Sequence, residues 1–397
     1  ATTEIYTLSL HDALPILSLR KTKYQETIKK FSMKSIAAII ITISLLTGCT
    51  HGQTTSTMKK DITLNVNPLG FQWEVNNPFL FCAHHLDQYP AGNENMGPDP
   101  SLLKGRNIGQ DFTLKDGWRM YHGEKVPGFP AHPHRGFETV TIVQQGFVDH
   151  SDSHGQAGRY GMGDVQWMTA GSGLQHCEMF PLLNQDGGNP TELFQVWLNL
   201  PKAKKFAPPF YKMHWHEDIP KVRMTDENGK TVEITVIAGH VNDTKALPPA
   251  PDSWAADPEN HVAIFTVKME PGAQWTLPPV PTETSRSLYF HRGDKLIVND
   301  TLIPAKHSFD LNTDSEITLV NGDADGYILL LMGKPINEPV VQYGPFVMNT
   351  EDEIREAIRD YRATEFGGWP WPSHEHVFPR EKGRFARYIG GKEEIKP

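Results

Sequence analysis

The chain has 397 residues, 38% hydrophobic and 21% charged, which supports a packed core, excludes intrinsic disorder and, at ~100–200 residues per domain, gives about two domains. Lys and Arg number 38 against 47 Asp and Glu; the net charge of −9 excludes a non-specific nucleic-acid binder, because neutralising phosphates needs a basic surface. Three cysteines exclude a disulfide scaffold, and eighteen histidines, several in close pairs, point to a metal.

The only long apolar run is Ile36–Leu46, eleven residues, short of the roughly twenty that a spanning helix needs. Met33 and Lys34 precede it, and Leu46-Thr47-Gly48-Cys49 ends it with small residues and a cysteine. The pattern over 33–48 resembles a bacterial lipoprotein signal. That resemblance implies that Cys49 becomes the first mature residue and carries lipid, with 49–60 as a polar tether. It places the protein in the cell envelope, held at the membrane by the lipid anchor alone. Residues 1–32 lie upstream of this start, and Thr3–Ile16 resembles translated sequencing-adaptor DNA. Residues 1–32 are therefore read as a non-native extension. Cys82 and Cys177 remain in the mature chain, and nothing in the sequence pairs them.

From Ile62 onward, short apolar or alternating runs are broken by Gly, Pro, Asn and Asp: Phe79–Ala83, Thr139–Val143, Val165–Met168, Leu193–Leu200, Thr231–Ile237 and His261–Val267. β-Branched and aromatic runs at this spacing predict an all-β sandwich or barrel. The Pro/Lys-rich stretch Pro201–Pro209 is the linker candidate, dividing a domain at 61–205 from another at 206–335. Gly146 aligned on Gly293, and Gly171 on Gly322, superpose strand–turn–strand patterns in the same order, which suggests duplication of one barrel. The last segment, 336–397, holds one predicted helix over 350–362 and an extended tail. Thr350 with Glu353 forms a capping box, and Ile354, Ala357, Ile358 and Tyr361 recur at helical spacing.

His132 and His134 stand two apart on a predicted strand, so they share a face; His176 and Glu178 do the same some forty residues later. Three imidazoles and a carboxylate suit a borderline divalent ion and, in an octahedron, leave two positions open. Glu138 shares parity with His134. His214-Trp215-His216 and His374-Glu375-His376 lack a partner pair and are read as surface or interface residues. One of His84 and His85 is a candidate for the cavity mouth. Cys177 has the parity of the core, and Arg135 is read as an ion-pair partner behind the site. Gly158-x-x-Gly161-x-Gly163 lacks the spacing of a dinucleotide or phosphate loop.

The segments HPHRGFETVTIV, GDVQWMTAG, LQHCEM and EPVVQYGPFVMNTEDEIREAI resemble the pirin family of bicupins, across nearly the whole mature chain. The resemblance implies two tandem cupin barrels, each a double-stranded β-helix or jelly roll. It implies one divalent ion per chain, Fe2+ with Mn, Ni, Co, Cu or Zn as substitutes, held by His132, His134, His176 and Glu178. In most cupins the carboxylate ligand stands where Glu138 does; the pirin-like match assigns it to Glu178 and leaves Glu138 as a nearby acceptor that orients a ligand imidazole. The offset of the repeat places Pro279, Pro281, Tyr327 and Leu329 at the corresponding positions of the second barrel, so that barrel is expected to serve as a wall and packing partner. Some pirins act as quercetinase-like dioxygenases. By that resemblance a small aromatic flavonol or related enediol and O2 are the expected partners, with Glu178 as catalytic base. The alternative is a non-catalytic, redox-sensing metal protein acting through an envelope partner. A monomer that binds no nucleic acid is expected.

Overall fold

The computed structural model describes residues 63–397; the expected signal, Cys49 and the tether lie outside them. In chain order the first strands are β1 Thr63–Pro68, β2 Gln72–Trp73, β3 Phe79–Tyr89, β4 Gly128–His134, β5 Phe137–Gln145, β6 Phe147–Asp152, β7 Ala157–Gly161, β8 Val165–Thr169, β9 Leu174–Met179, β10 Asn189–Asn199 and β11 Phe210–His214. Next come β12 Lys221–Thr225, β13 Thr231–Ala238, the short hairpin β14 His240–Val241 and β15 Thr244–Lys245, β16 Ala263–Met269, β17 Gln274–Leu277, β18 Ser285–Arg292, β19 Lys295–Val298, β20 Thr301–Pro304, β21 His307–Leu311, β22 Ile317–Asn321 and β23 Gly326–Gly333. The C-terminal segment holds β24 Val341–Tyr343, β25 Phe346–Met348, α1 Glu351–Thr364, β26 Arg384–Arg387 and β27 Glu393–Lys396.

Two barrels result, each built of two antiparallel sheets. The first combines the order β11-β8-β5-β10-β3-β2 with β27-β26-β7-β6-β9-β4; the second combines β1-β21-β18-β23-β16-β13-β12 with β17-β22-β19-β20. The described residues thus form the expected pair of tandem cupin barrels with one short α-helix. Three segments, however, pair across the linear division expected at 205/206. β1 joins the second barrel through β21, β11 joins the first through β8, and the tail hairpin β26–β27 joins the first through β7. Each addition covers a strand edge whose N–H and C=O groups would otherwise lack partners.

Side-chain alternation sorts the interior. On β5 and β10 the even positions Val140, Ile142, Phe194, Val196 and Leu198 pack in a core shared with Tyr289, Leu329 and Leu331 of the second barrel. The odd positions face into the first barrel, where Thr141 and Gln195 reach Glu178 on β9. Helix α1 begins at the expected capping box, in which the Thr350 side chain accepts from the Glu353 N–H and the Glu353 carboxylate accepts from the Thr350 N–H. Its buried Ile354 and Ala357 pack on Phe346, Met348 and Phe366. Among the described residues no helix is long and apolar enough to cross a membrane.

Candidate metal centre

Adjacent antiparallel strands β4 and β9 bring together His132, His134, His176 and Glu178. His132 lies opposite His176, and a bulge between Phe129 and His132 places Phe129 opposite Glu178. The extra residue bends β4 and re-aims its side chains. The imidazole centroids are 4.8 Å apart for His132–His134, 4.5 Å for His132–His176 and 4.9 Å for His134–His176. One nitrogen from each ring lies within 4.8 Å of the others.

The hydrogen bonds select which nitrogen. His132 Nδ1 donates to Pro130 O at 2.8 Å, and His134 Nδ1 to Pro345 O at 3.3 Å. A carbonyl only accepts, so both rings carry their proton on Nδ1 and present a bare Nε2. His176 Nδ1 lies 3.4 Å from His150 Nδ1, while its Nε2 is buried with no hydrogen-bond partner. A buried imidazole nitrogen left without a partner is costly unless a ligand takes its lone pair. That nitrogen, with the Nε2 atoms of His132 and His134 beside it, fits a borderline divalent ion. Burial lowers the pKa of all three: His132 falls to about 4, helped by His122 and His150, and His134 and His176 fall well below the ordinary value, helped by neighbouring imidazoles. The rings are therefore neutral at physiological pH, as metal ligation requires.

Glu178 sits beside this group. Its Oε2 is 3.9 Å from His176 Nε2 and accepts from Gln195 Nε2 at 2.6 Å; its Oε1 accepts from Thr141 Oγ1 at 3.3 Å. Burial raises its pKa, against the opposing pull of His150, Gln195 and Thr141.

Glu138 corrects the expectation placed on it. It is fully buried, and its carboxylate accepts from Trp167 Nε1 at 3.2 Å, Thr169 Oγ1 at 2.7 Å and Ser253 Oγ at 2.5 Å, none of them an imidazole. The parity shared with His134 is broken at Arg135–Gly136, where the chain leaves β4 for β5 in the opposite sheet and Gly136 adopts φ 88°. Glu138 therefore shares the face of Val140 and Ile142, toward the second barrel. Burial raises its pKa to about 7.

His150 was not singled out by its spacing. It lies on β6 opposite Glu178, fully buried, with its ring stacked on Tyr211 at 5.1 Å and its Nε2 3.6 Å from Asp152 Oδ2. If His176 Nε2 is to stay bare, His176 Nδ1 must donate and His150 Nδ1 must accept, which leaves the His150 proton on Nε2, facing Asp152. The signal available in the sequence is the His150-x-Asp152 alternation directly after the Gly146 turn.

The remaining histidines separate by strand face. His85 points into the first barrel against Tyr121, Phe129 and Phe180, at 4.9, 5.7 and 5.9 Å between ring centroids. His84 points the other way, to Glu192. His214 is buried near Trp167, not at the surface; His216 faces Asp164 and Arg384; His376 stacks on Trp371. Cys177 turns from the site toward His376 O, and Arg135 bonds Asp360 of α1 at 2.7 Å and Ser172 O at 2.7 Å. In the second barrel Pro279 and Pro281 are exposed, Leu329 lies in the inter-barrel core, and the interior is filled by apolar side chains including Leu288, Phe290, Ile328 and Leu330.

Comparison with known proteins places this geometry. Residues 98–198 match the pirin family, and residues 264–367 match the pirin C-terminal cupin domain. The chain is 38% identical over 241 residues to the Pseudomonas aeruginosa protein named "Putative quercetin 2,3-dioxygenase PA2418", covering 60% of this chain and 79% of that one. It is 35% identical over 252 residues to human pirin, covering 62% and 80%. A solved structure of quercetin 2,3-dioxygenase from Acinetobacter baumannii superposes with a TM-score of 0.61 at 31% identity, covering 77% of this chain and 98% of that one.

Proposed function

The chain belongs to the pirin family, and from that premise we propose that its first barrel is the active site of a metal-dependent dioxygenase opening the ring of a flavonol or a related enediol or hydroxyketone. The observation that carries this reading is the set of three neutral imidazoles with their Nδ1 atoms engaged, His134 and His176 buried and His132 half-buried, and a carboxylate 3.9 Å from His176. The names of the Pseudomonas and Acinetobacter relatives support the same reaction class.

In this reading His132, His134 and His176 hold the ion, Fe2+ by preference, with Glu178 as the fourth ligand. The ion, when bound, supplies Lewis acidity toward the substrate oxygens. The chain supplies the rest. When its carboxylate is not held by the ion, Glu178 accepts the substrate hydroxyl proton; Gln195 and Thr141 fix its orientation. His132 is the partly exposed ring of the three, so the substrate approaches on its side. There Phe129, 6.4 Å from His132 between ring centroids, stacks with Tyr121 at 5.2 Å and provides an aromatic wall for a flat ring.

Oxygen uptake by the iron-loaded protein with a panel of flavonols tests the proposal. Consumption with quercetin is expected. Uptake with none of them refutes the flavonol reading and favours a non-catalytic metal protein acting through a partner. The envelope location rests on the lipoprotein-like signal alone; mass spectrometry of the N-terminus after expression from Met33 in a bacterial host decides whether Cys49 is lipidated.

A further inference from the structure

A second cluster forms where the two barrels meet. His84 on β3, Glu192 on β10 and His291 on β18 offer one ligand atom each within 4.8 Å of one another. His84 Nε2 is 3.1 Å from Glu192 Oε1, and His291 Nδ1 is 3.8 Å from the same oxygen. The other oxygen, Oε2, lies 3.4 Å from Arg292 Nη1. His291 has 7% side-chain exposure, and its Nδ1 has no hydrogen-bond partner. Phe194 stacks on the His84 ring at 4.7 Å and meets His291 edge-on at 5.1 Å; Trp73 lies 5.3 Å from His84 and 6.1 Å from His291. A cleft of about 220 Å³, lined in part by Glu192, Phe194, His291, Arg292 and Tyr327, opens onto the cluster.

We propose that His84, Glu192 and His291 form a second metal site, a two-histidine, one-carboxylate site for a divalent transition ion at the junction of the barrels. Ligands bonded at ~2.0–2.2 Å around one ion stand about 3–3.5 Å apart, so the observed separations need only a small inward movement. Two imidazoles and one carboxylate with open positions on the cleft side suit Fe2+, Zn2+ or Co2+. Arg292 engages Oε2, which leaves Oε1 toward the two rings and offsets part of the buried negative charge.

The hydrogen bond between His84 and Glu192 accounts for one contact and leaves His291 Nδ1 buried without a partner, a penalty that a shared ion removes. The protonation states agree with ligation. Burial raises the Glu192 pKa, but the His84 hydrogen bond and the Arg292 charge together bring it below the ordinary value, so the carboxylate is ionised. Burial, with the nearby His84 and Arg292, drives His291 well below the ordinary value, so it is neutral. The site is independent of the centre on β4 and β9 and raises the metal content from the one ion expected from the sequence to two.

The test uses the full chain, stripped with a chelator and titrated with Co2+. The wild type should bind two equivalents, and Glu192→Gln, His291→Phe and the His132→Ala/His176→Ala double variant one each. Because Trp73 borders the cluster, the equivalent retained by the double variant should quench its emission, and adding Trp73→Phe should abolish that quench. One equivalent in the wild type overturns the proposal, as does a second equivalent that survives both Glu192→Gln and His291→Phe. If those two variants fail to fold, the fluorescence decides: no Trp73 quench in the double variant overturns the site.

Discussion

The two barrels share an architecture and differ in what fills them. On the paired strands β5 and β10 of the first barrel, Thr141 and Gln195 face inward to a carboxylate; on the corresponding β18 and β23 of the second, Leu288, Phe290, Ile328 and Leu330 fill the interior. A buried polar group is destabilising unless it is bonded, whereas a close-packed aliphatic interior stabilises directly. The cupin frame therefore does not require a polar interior. The first barrel keeps one where a bound ion can compensate it, and the second contributes an apolar wall through Tyr289, Leu329 and Leu331.

The largest expected effect comes from emptying the first barrel. His132→Ala/His176→Ala removes two of three nitrogen donors, and should lose one metal equivalent by elemental analysis together with all flavonol-dependent oxygen uptake. Next is the carboxylate. Glu178→Gln should keep the ion, since three imidazoles remain, yet lower turnover by roughly 10²–10⁴, the usual share of a general base. Glu138→Gln should leave turnover near wild type, because its partners are Trp167, Thr169 and Ser253. The reverse pattern would move the catalytic carboxylate to Glu138.

The second barrel should respond in stability alone. Phe290→Ala removes a fully buried ring and should cost about 3–5 kcal/mol in denaturant unfolding, with the metal content of the first barrel unchanged. A fall in that content would show that the barrels are not separable in this way. Between the barrels, Glu138 keeps its proton in the folded chain up to about pH 7, against an ordinary 4.5 when unfolded. The folded state therefore binds more protons in this window, and stability should fall as pH rises from 4.5 to 7 and level off above. A pKa difference of that size corresponds to ~3 kcal/mol. Glu138→Gln should flatten the unfolding profile across that window, and an unchanged slope would assign the pH dependence to another group.

Much of this arrangement is legible in the sequence where it depends on local alternation or capping. The parity of His132 with His134 and of His176 with Glu178 puts those side chains on one face, and Thr350 with Glu353 marks the start of α1. Parity fails where the chain changes sheets, as at Gly136, and so it places Glu138 on the wrong face. The exchange of β1 and of the β26–β27 hairpin between barrels is not legible, because edge pairing joins residues far apart in sequence. The same holds for His84, Glu192 and His291, which come from three strands of two barrels, and for Pro345, whose carbonyl orients His134 from 211 residues away.

His150 carries the smallest effect and the sharpest test of how the first barrel holds its ion. His132 and His134 are oriented by carbonyls, which accept in every state, whereas His176 is oriented by another imidazole, which accepts only while its own Nδ1 is bare. His150→Phe keeps a ring of similar shape against Tyr211 and removes that acceptor, leaving His176 free to carry its proton on Nε2, where it opposes the ion. Loss of such an orienting partner weakens metal affinity by about 10–100-fold. Competition with a chelator should therefore show a 10–100-fold weaker ion in His150→Phe, with the unfolding transition of the metal-free protein near wild type. His150→Asn offers a carbonyl oxygen close to the lost Nδ1 and should recover most of the affinity. If Phe and Asn weaken the ion equally, His150 acts by packing, and the tautomer of His176 is set by something other than its neighbour on β6.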